Sequence, residues 1–260
     1  MGKQLRAHHL GDHQVTAPQA PGPQRAWHLV PAGKARKFIL LFLLLVAAPG
    51  MFFLVRSGTH RFMKLPYYGP KEVEAPGDTL YHTIPPFAFM GSDGQVVSDT
   101  SLAGNIIVAD FFFTRCTTIC PKMNGQMQQL QLRMGRDGVF KDVVLLSHTV
   151  DPEHDTPEVL AEHARHMQAD PARWKFVTGT KEDLYLQGSE GYLLAAREDV
   201  MAPDGFLHSE HFVLVDKQRH IRGIYDGTKS AEVDRLFTDI KNLVREENEK
   251  ARLAREAQQR

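Results

Sequence analysis

Ile106-Ile-Val-Ala-Asp-Phe-Phe-Phe-Thr-Arg-Cys-Thr-Thr-Ile-Cys-Pro121 carries the only two cysteines of the chain, four positions apart. Ile106 to Phe113 reads as a buried strand that delivers Cys116 and Cys120 to its C-terminal end. The polar Thr117-Thr118 pair and Pro121 then mark a helix start, so the cysteines sit where a strand turns into a helix. Four residues along a helix rise about 6 Å, within the Cα separation of roughly 4.4–6.8 Å that a disulfide tolerates. The same spacing lets two thiolates grip one soft metal ion. A helix N-terminus carries partial positive charge and lowers a thiol pKa, which favours redox and metal chemistry alike. Inert packing or a structural disulfide is the competing account. It fits poorly, because a strand-to-helix corner is a poor place for filler and so short a closed loop restrains little of the unfolded chain.

Working outward, Pro121 to about Met134 is a helix and Val143 to Val150 a second apolar strand. Strand, helix, strand implies a right-handed crossover and a parallel pair. Thr156-Pro157-Glu158 supplies an N-cap and a first-turn proline for a helix reaching about Ala169. Lys175–Thr178 is a short strand, and Thr180 caps a helix that Gly188 weakens. Phe212–Val215 and Ile221–Tyr225 form an antiparallel hairpin across Lys217-Gln-Arg-His220. Val233, Leu236, Phe237, Ile240, Leu243 and Val244 fall at helical spacing, a stripe that covers one sheet face. Upstream, Phe87–Met90 and Gln95–Val97 flank Gly91-Ser-Asp-Gly94 as a small hairpin. The predicted class is α/β with a thioredoxin-like fold: a central mixed sheet flanked by helices, with an N-terminal β-hairpin.

The length of 260 residues suits one domain of ordinary size with appendages. With 31 basic and 31 acidic residues, no basic field points to nucleic acid. The balance fails locally. Residues 1–37 carry Lys3, Arg6, Arg25, Lys34, Arg36 and Lys37 against Asp12 alone and lack hydrophobic periodicity, the pattern of a disordered tail. Phe38–Val55 is an apolar run of 18 residues between Lys37 and Arg56, about the minimum for a single transmembrane helix. A signal peptide cleaved near Ala47-Ala48 is the alternative, opposed by the long preceding tail and by the apolar run continuing past Pro49. The basic excess before the span predicts a cytoplasmic N-terminus in the inner membrane and a domain facing the periplasm or extracytoplasmic space. Residues 56–80, with Pro66, Pro70 and Pro76, read as a stalk, 81–245 as the domain, and 246–260 as a charged helical tail.

Three stretches together carry a resemblance: Phe111-Phe-Phe-Thr-Arg-Cys-Thr-Thr-Ile-Cys-Pro121, Thr149-Val-Asp-Pro-Glu-His-Asp-Thr-Pro-Glu158 and His208-Ser-Glu-His-Phe-Val-Leu-Val-Asp216. In order and spacing the sequence resembles the Sco/SenC family of membrane-tethered, thioredoxin-fold copper proteins over roughly residues 80–245. The resemblance implies one copper ion per chain, held by Cys116, Cys120 and His208. Two thiolates suit Cu(I) and an added imidazole suits Cu(II), so the donor set is reasonable for either state. His211 is the local competitor of His208. His148 and His154 flank the Asp-Pro segment, where His148 or Asp151 either supports the ligands from behind or caps a strand end. Met123 and Met127, one turn apart after the cysteines, are core residues or transient copper contacts.

The resemblance further implies a copper chaperone delivering its ion to the CuA-bearing subunit of cytochrome c oxidase, with other copper chaperones or thiol reductases as partners. That role is ligand exchange rather than catalysis. A thiol-disulfide oxidoreductase acting on the same target is the alternative, with Cys116 attacking and Cys120 resolving; the third residue between the cysteines departs from the thioredoxin spacing and favours chelation. A thiol peroxidase fits least, because Thr114 lies only two residues before Cys116 and no proline precedes it at the required position. No Walker phosphate loop, GxSxG elbow or HExxH motif is present.

Overall fold

The computed structural model describes residues 64–75, 78–135, 138–194 and 209–259, together with 36, 37, 41, 42, 45, 46 and 51. The chain divides into two compact units, Met1–His60 and Arg61–Arg260, and all numbered elements belong to the second. Among the described residues no helix is long and apolar enough to cross a membrane. The span expected over 38–55 falls almost wholly outside the described residues.

Two strands stand at the centre because their sequences allow nothing else. β5 (Ile106–Phe112) and β6 (Val143–Thr149) are buried at every position, as parallel strands covered on both faces require. They pair in parallel, with Asp110 beside Ser147 and Phe111 beside His148. The crossover between them is α1 (Cys120–Met134). β7 (Trp174–Thr178) adds in parallel to β6, after α2 (Pro157–His166), whose Thr156 accepts the Val159 N–H as an N-cap. On the other side β8 (His211–Val215) runs antiparallel to β5, and β9 (Ile221–Asp226) antiparallel to β8. The hairpin β3 (Ala88–Gly91) and β4 (Val96–Ser98) closes the opposite edge through an antiparallel β3–β7 pair. The sheet order is therefore β4-β3-β7-β6-β5-β8-β9, the mixed sheet expected from sequence.

Alternation along β5 divides the core into two layers. Ile106, Val108 and Phe112 face Met123, Met127 and Leu130 of α1. Ile107, Ala109 and Phe111 face Phe87, Phe89 and Tyr192 on the other side. The stripe Val233, Leu236, Ile240, Leu243 and Val244 is buried on α4 (Ser230–Gln258), a helix that continues without a break through the segment expected as a charged tail. Its last turns carry exposed pairs such as Arg252 with Glu249 and Glu256, which solvent screens strongly.

Two features depart from the sequence reading. Part of the expected stalk is folded: β1 (Lys71–Ala75) and β2 (Asp78–Tyr81) form a separate antiparallel pair. Pro70 immediately precedes β1, where a missing N–H is tolerated. Leu65 is buried as well. Its carbonyl and that of Pro66 accept hydrogen bonds from the fully buried Arg222 at 2.7 and 3.2 Å, while Asp216 and Glu246 neutralise that guanidinium at 3.0 Å each. Because Val215 lies beside both Ile221 and Ile107, Arg222 holds this segment at the sheet end opposite the cysteines. The second departure follows α3 (Lys181–Leu186), where the chain passes into a π-helical turn at Gln187–Gly191.

Candidate metal centre

The cysteines are set by how β5 ends. Val150 N–H donates to the Phe112 carbonyl at 2.9 Å, the last bond of the β5–β6 ladder, and Cys116 N–H turns back to Phe113 O at 3.2 Å. α1 then begins at Cys120, with Pro121 in its first turn. The helix starts where Thr117-Thr118 and Pro121 mark it, but neither threonine side chain caps it. Ile119 occupies the N-cap position and offers no acceptor; instead Cys120 N–H donates to Cys116 Sγ at 3.4 Å, and Thr118 Oγ1 lies 3.6 Å from the same sulfur. The first cysteine thus does for the helix start what a serine or aspartate usually does.

Both cysteines are free thiols, Cys116 9% and Cys120 4% exposed. Their acidities diverge. Burial opposes ionisation of Cys116, but the hydrogen bonds from Cys120 and Thr118 together outweigh it and lower its pKa to about 7. Burial pushes Cys120 up to about 12, reinforced by its hydrogen bond to Cys116 and by the nearby Asp110 charge. Asp110 is itself fully buried; desolvation raises its pKa to about 7 against the opposing hydrogen bond from Ser147 Oγ at 2.5 Å, and its second carboxylate oxygen has no partner among the described residues. One thiolate and one thiol therefore coexist at neutral pH. Iodoacetamide should modify a single cysteine of the reduced chain quickly, with a rate that rises as pH passes through about 7 and that Cys116→Ser removes. Equal rates at both cysteines would contradict the split.

The loop that carries Cys116 is clasped by the segment after β6. Asp155, with no exposed surface, accepts from Thr114 N–H at 3.1 Å, from the Thr114 hydroxyl and from the Thr149 hydroxyl at 2.6 Å. His154 Nδ1 lies 2.9 Å from its other oxygen. Next to it, Arg115 pairs through Nε and Nη2 with Asp151. The backbone turns tightly here, with His154 and Asp155 N–H both reaching Asp151 O. Asp151, His154 and Asp155 bring ligand-type atoms within 4.8 Å of one another; both Asp155 oxygens and Asp151 Oδ2 already accept from Thr114, Thr149 and Arg115. In this arrangement the cluster serves as a clasp on the cysteine loop.

The structure brings Cys116 and Cys120 together as expected. His208 lies outside the described residues. Ser209 is buried and leads into β8 at the end of the sheet to which β5 delivers the cysteines, since Val213 lies beside Ala109 and the strands are antiparallel. His211 begins β8 and is paired with Asp226. Met123 and Met127 have no exposed surface and belong to the core cluster. His148 projects into the layer on the other face of the sheet, against Phe111 and Phe89, whereas Asp151 does support the cysteine loop. Sequence reasoning missed Asp155 and Arg115 as its fasteners. Their one signal is the dense polar run after β6, which cannot reveal that Thr114 lies across from it until the parallel register is known.

The SCO1/SenC family model matches residues 76–245. A SCO1 protein homolog of Bacillus subtilis (strain 168) is 33% identical over 168 residues, covering 64% of this chain and 84% of that protein. The structure of BsSco, a Sco family cytochrome c oxidase assembly protein in which a disulfide switch is identified, superimposes with a TM-score of 0.54 at 30% identity, over 63% of this chain and 94% of that one. Copper-bound ScoI of Arabidopsis thaliana shares the fold, with a TM-score of 0.52 at 24% identity over 64% of this chain and 99% of that one. The thioredoxin-like α/β fold read from the sequence is the fold of these structures.

Proposed function

Because the chain belongs to the SCO1/SenC family, we propose that it is a copper chaperone acting in cytochrome c oxidase assembly, with Cys116, Cys120 and His208 as the ligands of one copper ion. The observation that carries this reading is the pair of buried free thiols at the start of α1, with Cys116 already near its ionisation point at neutral pH. Soft sulfur donors favour Cu(I), and an imidazole from the segment before β8 would suit Cu(II). Copper is cargo here. Cys116 offers a thiolate to the arriving ion, Cys120 releases its proton as its sulfur binds, and two protons leave per ion when both thiols start protonated. Delivery reverses these steps, each thiolate being replaced by a cysteine of the CuA-bearing subunit. An N-terminal membrane helix over 38–55 would hold the domain on the extracytoplasmic side, with other copper chaperones or thiol reductases supplying the ion and keeping the cysteines reduced.

One observation favours a second reading. The unequal thiols, Cys116 near 7 and Cys120 near 12, match an attacking and a resolving cysteine, and a disulfide switch is described for BsSco. In that case the chain reduces the cysteines of the oxidase subunit and does not transfer copper. The two readings separate when the Cu(I)-loaded chain is mixed with the reduced, copper-free CuA domain and both proteins are assayed for metal after separation. Copper moving to the acceptor is the expected result. Copper staying on the donor, while an oxidised acceptor is reduced by the copper-free chain, would establish the reductase instead.

A further inference from the structure

A second polar cluster lies on the sheet face opposite the cysteines. His148 of β6 has no exposed surface. It stacks on Phe111 at a centroid separation of 4.8 Å and meets Phe89 and Tyr192 edge to face at 5.5 and 5.4 Å. Its Nδ1 is 3.3 Å from the Asp110 carbonyl, an acceptor, so Nδ1 carries the proton and Nε2 presents a bare lone pair. Burial, only partly offset by hydrogen bonds to backbone, lowers the ring pKa to about 4 and keeps it neutral.

Among the described residues His148 Nε2 has no hydrogen-bond partner, and neither do Tyr192 Oη and Gln187 Nε2. Tyr192 is fully buried and Gln187 is 4% exposed. The Gln187 carboxamide lies beside the Tyr192 hydroxyl without reaching good hydrogen-bond geometry. The backbone that brings these two residues in is unusual: Gln187–Gly191 is a π-helical turn and Leu193 adopts φ 59°, conformations that cost energy and concentrate at functional positions. A cleft of about 230 Å³, lined by Pro85, Phe87, Phe89, Leu186 and Gln187, opens to the surface on the Gln187 side of the cluster.

We infer that His148, Tyr192 and Gln187 form a binding site for one ordered water molecule, which bridges β6 to the turn that precedes residues 195–208. The chemistry selects the ligand. An imidazole acceptor, a carboxamide donor and a hydroxyl that does either give a water three partners, the usual number for a buried one. None of the three groups carries a charge, so a neutral hydrogen-bonding ligand is the one they match best. Without the bridge, three buried polar atoms would each bear a desolvation cost that native proteins rarely leave uncompensated.

Thermal unfolding of the full chain with Tyr192→Phe tests the site, because the substitution keeps the ring and removes only the hydroxyl. A bound water predicts a fall in Tm of about 2–4 °C. An unchanged or higher Tm would mean that the hydroxyl is a dry, unpaired group and would overturn the inference. An independent reading needs no variant: ¹⁵N spectra of the His148 ring should show a protonated Nδ1 and a hydrogen-bonded Nε2, with cross-peaks from a long-lived water. A free Nε2 with no water cross-peak would overturn it as well.

Discussion

Replacing either Cys116 or Cys120 by serine should abolish tight copper binding, lowering affinity by more than about 100-fold. That bound follows from ligand hierarchy: changing a residue that merely orients a metal ligand costs about 10–100-fold, and losing one of two soft anionic donors must cost more. The fold should survive both changes: Cys116→Ser places a hydroxyl oxygen where the sulfur accepts the Cys120 N–H, and Cys120→Ser leaves that sulfur in place, whereas Cys116→Ala removes the acceptor and should loosen the start of α1. Thermal unfolding of the copper-free chains distinguishes alanine from serine at position 116. Retention of tight, stoichiometric copper binding by either serine variant would mean that the ion sits elsewhere.

Asp155→Ala is expected to be the most damaging substitution outside the ligands. The carboxylate is fully buried and takes hydrogen bonds from the Thr114 N–H and hydroxyl and from the Thr149 hydroxyl. Truncation leaves the buried Thr149 hydroxyl unsatisfied and the half-buried Thr114 donors partly reached by water, at about 1–3 kcal/mol for a buried donor, so a loss of ~2–4 kcal/mol is expected after the loop readjusts. Copper affinity should fall with it, because Thr114 is two residues from Cys116 and the clasp fixes that loop. Asp155→Asn should be milder, since one carboxamide oxygen still accepts from Thr114. Denaturant unfolding of both variants measures the difference. An Asp155→Ala chain as stable as the parent would show that the clasp contributes nothing.

The fold was legible where burial and periodicity agree. Ile106–Phe112 and Val143–Thr149 are too apolar to be anything but central strands, and the stripe from Val233 to Val244 could only cover a sheet. The stretch Lys71–Tyr81 was not legible, because Pro76 and the prolines ahead of it, Pro66 and Pro70, signal a linker and a two-stranded pair needs only a few residues to form. Of the site, the cysteines announced themselves by position. The Asp155 clasp did not, because a buried carboxylate and a solvated one look alike until the register that sets Phe112 beside Thr149 is known. The same holds for His148: one step along β6 moves a side chain to the other face of the sheet, so the sequence left open whether it supports the ligands or caps a strand end, and in the structure it stacks on Phe111 in the opposite layer.

Anaerobic copper titration of the reduced chain, parent and His208→Ala, tests the three-ligand site most directly. Thiolate-to-Cu(II) absorption reports one state and competition with a Cu(I) chelator the other. One equivalent should bind in each state, and His208→Ala should weaken Cu(II) far more than Cu(I), since two thiolates alone satisfy the softer ion. Equal retention of both ions by the variant, or no tight binding by the parent, would contradict a copper site built from Cys116, Cys120 and His208.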